Sequence, residues 1–150
     1  MERIEHPKWK VRLNAYKEIN SLFYNEYSKG CVDYEKNESD KEESSKPFEI
    51  YGPVLHKIIV DSNLIAQYEG LNCLFSYVKF CNDIKSIIFQ VHSILLEKIH
   101  HNKPNFKEIT IKIILCILKK DKGYQILGEI LKRFKSKNTK VALFSTEIIV

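Results

Sequence analysis

Apolar residues recur along most of the chain at the three- and four-residue spacing of one helix face. Isoleucine-rich stretches such as 109–118 would also suit buried strands, but their length and period favour helix. The pattern therefore predicts an all-α chain of about seven helices with no sheet. The positions that define the stripes are Ala15, Ile19 and Leu22 with Tyr16 and Phe23; Tyr51, Val54, Leu55 and Ile58; Leu64, Tyr68, Leu71, Phe75 and Val78; Ile84, Ile87, Val91, Ile94 and Leu95; Phe106, Ile109, Ile113 and Cys116; Ile126, Leu127, Ile130, Leu131 and Phe134; and Val141, Phe144 and Ile148.

Short polar breaks divide the predicted helices into pairs. Asn63, Lys103 and Asn138 mark three of these breaks, at intervals of 40 and 35 residues. This is the period of HEAT and armadillo solenoids, in which each helix pair packs only against its neighbours. We therefore predict one α-solenoid domain over residues 1–150, with HEAT repeats at about 1–30, 47–81, 83–120 and 122–150.

Residues 31–46 interrupt the apolar pattern. After Cys31 the segment has only Val32 and Tyr34 as sizeable apolar residues, and it carries six acidic residues and three lysines. Such a composition cannot bury a face against the rest of the domain. We predict a disordered acidic insertion over 31–46.

Charge favours an acidic partner. The chain has 24 basic and 19 acidic residues, a net charge of +5, and 21 basic against 13 acidic residues remain when 31–46 is set aside. Four widely spaced cysteines and an opening segment unlike a secretory signal indicate a reduced, intracellular chain. The apolar stretch 109–118 contains Lys112 and is too short to span a bilayer, so no membrane partner is expected.

The residues that would carry catalysis are missing from the sequence. There is no glycine-rich phosphate loop, no His-Glu-x-x-His, no nucleophile elbow and no kinase signature. His92, His100 and Cys116 match no closed tetrahedral metal pattern. We therefore expect no enzymatic activity, no cofactor and no metal site.

The turns within the predicted helix pairs are the candidate binding residues. In a stacked solenoid these turns lie along one edge, and here they bring cationic and amide side chains together with the single tryptophan of the chain. Trp is over-represented among interface hot spots, although Trp9 could instead pack beneath the first helix. Asn63 could cap the helix that begins at Leu64, contact a partner, or do both. The turn residues are Lys8, Trp9 and Lys10; Ser62 and Asn63; His101, Asn102 and Lys103; and Lys137, Asn138 and Lys140. The lysines of the last turn could instead be no more than a solvated cluster beside a helix.

Two stretches resemble the signatures of a known family. Residues 6–16, His-Pro-Lys-Trp-Lys-Val-Arg-Leu-Asn-Ala-Tyr, resemble the Trp-Lys-x-Arg-x-x-(Ala/Gly)-Tyr start of a TOG domain. Residues 61–67, Asp-Ser-Asn-Leu-Ile-Ala-Gln, followed by Gly70 and Leu71, are similar to the Asp/Glu-Ser/Thr-Asn-Val-Val-Ala-Gln of the second TOG repeat. More loosely, 137–141 resembles the Lys-Asn-Pro-Lys-Val of the fourth repeat, with Thr139 in place of proline. The resemblance is to the first TOG domain of the microtubule polymerases, the family of ch-TOG and Stu-two.

This resemblance implies a paddle of HEAT repeats that binds the curved, unpolymerised α/β-tubulin heterodimer by its turns. It implies a role in microtubule plus-end growth and spindle organisation, in the cytoplasm on microtubules, spindle poles and kinetochores. The chain ends within the fourth repeat, before the basic residue that the family carries in its fifth turn, so a truncated, monomeric domain is expected. The tubulin-binding residues that the resemblance implies are Trp9, Lys10, Ser62, Asn63, Lys103, Lys137, Asn138 and Lys140.

Two other functions remain open at this point. A generic HEAT scaffold would bind a non-tubulin partner through its helical faces, and substitutions in the turns would leave that binding intact. Nucleic-acid binding would require lysines clustered on one broad face and an affinity that falls steeply with salt. The chain lacks arginine-rich or aromatic-interleaved basic patches, which argues against a nucleic-acid partner.

Overall fold

The described part of the chain is entirely helical in its regular elements. The computed structural model describes residues 2–32, 46–99 and 101–120, together with Gly128 and Lys132. No strand occurs among these residues, which confirms the all-α prediction. Apart from Gly128 and Lys132, the helices predicted around 126–134 and after Val141 lie outside the described part. The α-helices are α1 (Trp9–Val32), α2 (Lys46–Tyr51), α3 (Leu55–Ile58), α4 (Leu64–Phe80), α5 (Lys85–Lys98) and α6 (Pro104–Lys119), and 3₁₀ helices span Glu2–Glu5 and Gly52–Val54.

The chain divides into two compact units, Met1–Asn82 and Asp83–Val150. The single domain over residues 1–150 and the bounds of its four repeats stay predictions. In the first unit α1 packs along α4, the 3₁₀ helix Glu2–Glu5 and α2 pack against α1, and α3 packs against α4. Eight of the fourteen apolar positions predicted for this unit are buried, namely Ala15, Tyr16, Ile19, Phe23, Leu55, Ile58, Leu71 and Val78. Leu74 and Tyr77 are buried beside them, whereas Leu22 is 40% exposed, so its place on the buried stripe is wrong.

Aromatic contacts hold the short helix α2 in place. Phe23 of α1 stacks on Phe48 with ring centroids 5.0 Å apart, and it meets Tyr51 and Tyr77 edge-on at 6.4 and 5.6 Å. A six-residue helix is unstable by itself in water. The three helices α1, α2 and α4 therefore share one aromatic cluster, which supplies the stability that α2 lacks alone.

The spacing of Tyr51, Val54 and Ile58 predicts one continuous helix, and this prediction is wrong. The segment is instead α2, the 3₁₀ helix Gly52–Val54 and α3. Pro53 has no backbone N–H to donate in a helix interior, so the regular hydrogen-bonding pattern breaks there. Gly52 also fits closely against Tyr77, because a Cβ at this position would lie 2.8 Å from the Tyr77 hydroxyl oxygen.

Gly70 marks the closest approach between α3 and α4. A Cβ at Gly70 would lie 2.6 Å from both the Cγ2 and the carbonyl oxygen of Ile58. We expect Gly70→Ala to lower the free energy of unfolding by about 2 kcal/mol, because the backbone carbonyl cannot move aside cheaply. Urea unfolding measures the change. Gly128→Ala is the control, since nothing lies within 4 Å of its added Cβ, and an unchanged midpoint for Gly70→Ala would contradict the prediction.

The second unit contains the helix pair α5 and α6, which pack against each other. Pro104 occupies the first turn of α6, where its missing N–H would have had no helical partner. Thr110 is fully buried, and its hydroxyl donates to the Phe106 carbonyl at 2.7 Å. The predicted stripes of this unit are buried at Ile84, Ile87, Val91, Leu95, Phe106, Ile109 and Ile113.

The predicted insertion begins and ends differently in the structure. Helix α1 continues through Cys31 and Val32, and α2 already begins at Lys46. These three residues are therefore helical, although the sequence analysis assigns them to the disordered segment. A helix ends where its hydrogen bonding stops, and a change in composition locates that point only to within a few residues. Residues 33–45 lie outside the described part, and their disorder stays a prediction.

Candidate functional site

The three described turns that precede α1, α4 and α6 share one local geometry. In each, a side chain accepts a hydrogen bond from the backbone N–H two residues later, and the helix starts at the following residue. This is the Asx-turn arrangement, which His can imitate through Nδ1, and it orients the chain for helix entry. The bonds are Lys8 N–H to His6 at 3.1 Å, Asn63 N–H to Asp61 at 2.8 Å, and Lys103 N–H to His101 at 3.2 Å.

A buried ion pair joins the first turn to the second. Arg12 donates from Nε and Nη2 to the two carboxylate oxygens of Asp61, at 2.7 and 2.8 Å. Its Nη1 donates to the carbonyls of His6 and Pro7, at 2.8 and 3.1 Å. Because the Arg12 side chain is only 14% exposed, it braces the two turns and presents little surface to a partner.

Asp61 is the centre of this network, and the sequence analysis did not single it out as a functional residue. Its side chain is 1% exposed and also accepts from the Tyr16 hydroxyl at 2.8 Å. Burial acts to raise the pKa of Asp61, but hydrogen bonds from Arg12, the Asn63 N–H and Tyr16 outweigh it, and the net pKa is lowered. Burial and the bond to Asp61 raise the pKa of Tyr16, so the phenol stays a donor.

The lowered pKa of Asp61 makes stability depend on pH. Because the folded state favours the carboxylate, its contribution is present above the unfolded-state pKa of about 3.9 and is lost as the pH falls through the folded value. We expect the stability difference between the wild type and Asp61→Asn to be largest near neutrality and to shrink towards pH 3. Urea midpoints of both proteins from pH 7 to pH 3 measure it, and a constant difference would refute the expectation.

Asn63 caps α4. Its side-chain oxygen accepts from the N–H groups of Ile65 and Ala66, at 3.0 and 3.2 Å. Gln67 reinforces the same turn by donating to the Asp61 carbonyl at 2.9 Å. The capping interpretation is therefore confirmed, and because Asn63 remains partly exposed, a second role in contacting a partner stays a prediction.

Loss of the Asn63 cap should have a modest cost. We expect Asn63→Ala to lower the free energy of unfolding by about 1 kcal/mol, because two helix N–H groups lose their acceptor. The measurement is thermal or urea unfolding. Ser62→Ala serves as the control, since Ser62 is exposed in the same turn, and equal effects of the two substitutions would speak against a capping role.

Apolar side chains around the second turn reach solvent. Val60 is 50% exposed, Leu64 39% and Ile65 59%. The sequence analysis places Leu64 on the buried stripe, and this is wrong, because in the first turn of α4 the core is reached by Ala66 instead. The local pattern alone does not distinguish the exposed Leu64 and Ile65 from consecutive apolar residues that are both buried, such as Ile113 and Ile114.

The structure places four of the predicted binding residues on these two turns. Trp9 is the first residue of α1 and partly exposed, and Lys10 is exposed with its Nζ 5.9 Å from the centroid of the Trp9 ring. Ser62 is exposed beside Asn63. We call Trp9, Lys10, Ser62, Asn63 and Ile65 the two-turn surface. It is apolar and cationic, and the Arg12–Asp61 pair beneath it connects its two halves.

The remaining predicted residues lie elsewhere. Lys103 is exposed in the second unit, directly before α6, where His101 stacks on Phe106 with ring centroids 4.3 Å apart. Lys137, Asn138 and Lys140 lie outside the described residues, and their role stays a prediction.

Within residues 2–32, 46–99 and 101–120, no three His, Cys, Asp or Glu side chains converge as a metal site would require. Over the same ranges, no helix combines the length and the apolar character needed to cross a membrane.

Comparison with known proteins identifies relatives over nearly the whole chain. The family model described as XMAP215/Dis1/CLASP, TOG domain, matches residues 1–150. Centrosomal protein 224 of Dictyostelium discoideum is 26% identical over 145 residues, which cover 96% of this chain and 6% of that protein. Protein mini spindles of Drosophila melanogaster is 26% identical, with coverage of 93% and 6%. Spindle pole body component alp14 of Schizosaccharomyces pombe is 24% identical, with coverage of 93% and 16%.

These relatives are much longer than the chain. It spans between 6% and 16% of the length of the three proteins. No solved structure matches it.

Proposed function

Because the chain belongs to the XMAP215/Dis1/CLASP TOG-domain family, we propose that it binds the curved, unpolymerised α/β-tubulin heterodimer. In this proposal the two-turn surface binds tubulin, and Lys103, Lys137, Asn138 and Lys140 stay further predicted binding residues. Membership in the family also gives the fold as an α-solenoid of HEAT repeats, as the spacing of the polar turns predicts.

The observation that supports the proposal best is the buried connection between the two turns. Arg12 donates to carbonyls of the first turn and to the carboxylate of the second. The start of α1 at Trp9 and the turn that contains Asn63 are therefore fixed to each other. A surface that is ordered before binding loses less conformational entropy when a partner docks. Partly exposed tryptophan and isoleucine side chains supply the desolvated contacts that dominate binding energy.

Charge supports the same partner. The chain carries a net charge of +5, and Lys10 and Lys103 are exposed in the first and third turns. Exposed lysines facing an acidic tubulin surface would increase the association rate and fix orientation more than they raise affinity. A preference for curved tubulin follows if the turns fit only one tilt of the two subunits, since a ligand selects a conformation through differential affinity.

The names of the relatives suggest the cellular setting. One is described as centrosomal, one as mini spindles and one as a spindle pole body component. By analogy we place this chain on the microtubule cytoskeleton, at spindle poles and kinetochores, in a protein that promotes plus-end growth. The function proposed is binding, with no catalytic step.

Size-exclusion chromatography with unpolymerised tubulin, at low and moderate salt, tests the proposal. We expect the chain to co-elute with tubulin, more completely at low salt, and to sediment weakly with assembled, straight microtubules. Separate elution at both salt concentrations would overturn tubulin binding by this chain. Co-elution that persists after the two-turn surface is substituted would instead favour the scaffold alternative, in which the helical faces bind.

A further inference from the structure

A second candidate surface lies in the first unit, on the helical face between α1 and α4. It is a groove of about 360 Å³ lined by Asn20, Ser21, Tyr24, Asn72, Phe75 and Ser76. Asn20 is eleven residues beyond Trp9 on α1, or about 16 Å along the helix. The groove is therefore separate from the two-turn surface, and its function would be additional to the one proposed above.

Some polar side chains of the groove form hydrogen bonds with one another or with a neighbouring side chain, and others do not. Ser76 donates to the Asn20 side chain at 2.6 Å, and Asn20 donates to Glu69 at 3.3 Å. The Asn72 amide and the Tyr24 hydroxyl, by contrast, make no hydrogen bond within the described part of the chain. An amide offers one acceptor and two donors, which match the N–H and C=O of a peptide backbone.

The aromatic side chains continue beyond the groove as an exposed strip. Tyr24 is 60% exposed and meets Phe80 edge-on at 5.5 Å, and Tyr27 stacks on Phe80 at 4.3 Å. The Lys79 ammonium lies 5.9 Å from the ring centroid of Phe75 and 5.3 Å from that of Phe80. Exposed aromatic surface of this kind is enriched where proteins bind one another.

The charge around the groove is positive. Lys17 and Lys79 are exposed, and neither forms an ion pair with another described residue. Glu18 is paired with Arg3 at 2.7 Å, whereas Glu69 accepts from the neutral Asn20 amide at 3.3 Å and keeps its negative charge, so the two lysines outnumber the one carboxylate that no cation balances. The groove therefore complements an occupant that carries negative charge.

We propose that the α1–α4 groove binds an extended peptide segment of a partner protein, with carboxylate side chains flanking an apolar residue. Asn72 would pair with the peptide backbone, Tyr24 and Phe75 would hold the apolar side chain, and Lys17 and Lys79 would attract the carboxylates. A nucleic acid fits less well, because tight phosphate binding needs many more cationic contacts than these two lysines provide.

Selection from random twelve-residue peptides displayed on phage, with the immobilised chain as bait, tests this proposal. The enriched sequences are then synthesised with a fluorescent label, and their affinities are measured by anisotropy. We expect net negative peptides with an apolar residue, and an affinity at least about tenfold lower for Tyr24→Ala, Asn72→Ala and Lys79→Glu. Phe89→Ala and Lys119→Ala are the matched controls, because both residues are exposed outside this unit.

Four results would overturn the proposal. The first is that the peptides bind the groove variants as tightly as the wild type, and the second is that phage are enriched on the wild-type chain no more than on Tyr24→Ala. The third is that the enriched peptides carry a net positive charge. The fourth is that a single-stranded oligonucleotide displaces the bound peptide. Self-association that the groove variants abolish would assign the groove to a second copy instead. Circular dichroism checks that each variant folds. Tubulin co-elution should be unchanged in these variants, so the failure of one proposal is distinguishable from that of the other.

Discussion

Replacing Arg12 with methionine is expected to lower the free energy of unfolding by about 3 kcal/mol. The substitution keeps the aliphatic part of the side chain but removes both hydrogen bonds to the Asp61 carboxylate. The carboxylate, 1% exposed, would be left with the Tyr16 hydroxyl and the Asn63 N–H as its bonded donors. An uncompensated buried charge is among the few single changes with an effect of this size. Urea unfolding at neutral pH measures it.

Arg3 provides a matched control for this experiment. It also forms a two-bond ion pair, with Glu18 at 2.7 and 3.1 Å, but the two side chains are 53% and 60% exposed. Exposed ion pairs contribute about 0–1 kcal/mol, so Arg3→Met should change stability little. Equal losses for the two variants would show that burial of the Arg12–Asp61 pair is not what makes it important.

Replacing Trp9 with alanine is expected to weaken tubulin binding about 100-fold while the chain stays folded. Trp9 begins α1 and is partly exposed, so truncation removes a large apolar side chain from the two-turn surface without emptying the core. Hot-spot tryptophans typically account for losses of 2 kcal/mol or more, which corresponds to at least about 30-fold in affinity. Titration of labelled chain with unpolymerised tubulin measures the change.

Phe89→Ala is the control for Trp9. Phe89 is an aromatic residue that is 68% exposed on α5, and it belongs to none of the predicted binding turns. Its truncation should leave tubulin binding unchanged. If Trp9→Ala bound tubulin normally, or lost binding only because its urea midpoint fell sharply, Trp9 would be a packing residue and the alternative stated for it would hold.

Helical periodicity carried the fold prediction. The spacing of Ala15, Ile19 and Phe23 predicts the buried side of α1, and all three residues are buried, whereas Leu22, predicted on the same side, is 40% exposed. Periodicity alone misplaced Leu64, because it gives the face of a helix but not where the neighbouring element ends. Periodicity also does not predict the break at Pro53, although a proline in a helix interior indicates such a break. The errors at Leu64 and Pro53 concern the ends of elements, where local pattern is weakest.

The turns that carry the candidate binding residues were predictable for a related reason. Each has a short polar sequence directly before an apolar helical stripe, and the order Asp61, Ser62, Asn63 identifies a helix start without any knowledge of the rest of the chain. The sequence alone thus determined the helical class, the positions of the turns and the exposed candidates Trp9, Lys10, Ser62 and Asn63.

Only the tertiary structure could decide what connects the turns. Arg12 and Asp61 are 49 residues apart, and nothing in the spacing of charges along the chain pairs them among 24 basic and 19 acidic residues. The pairing arises because α1 packs along α4, which brings both helix starts together and excludes water from the carboxylate. Local sequence encodes hydrogen bonds and helix faces within a few residues, whereas burial depends on elements far apart in the chain. For that reason the sequence predicts the residues of the two-turn surface, whereas only the fold reveals the Arg12–Asp61 ion pair that connects its two turns.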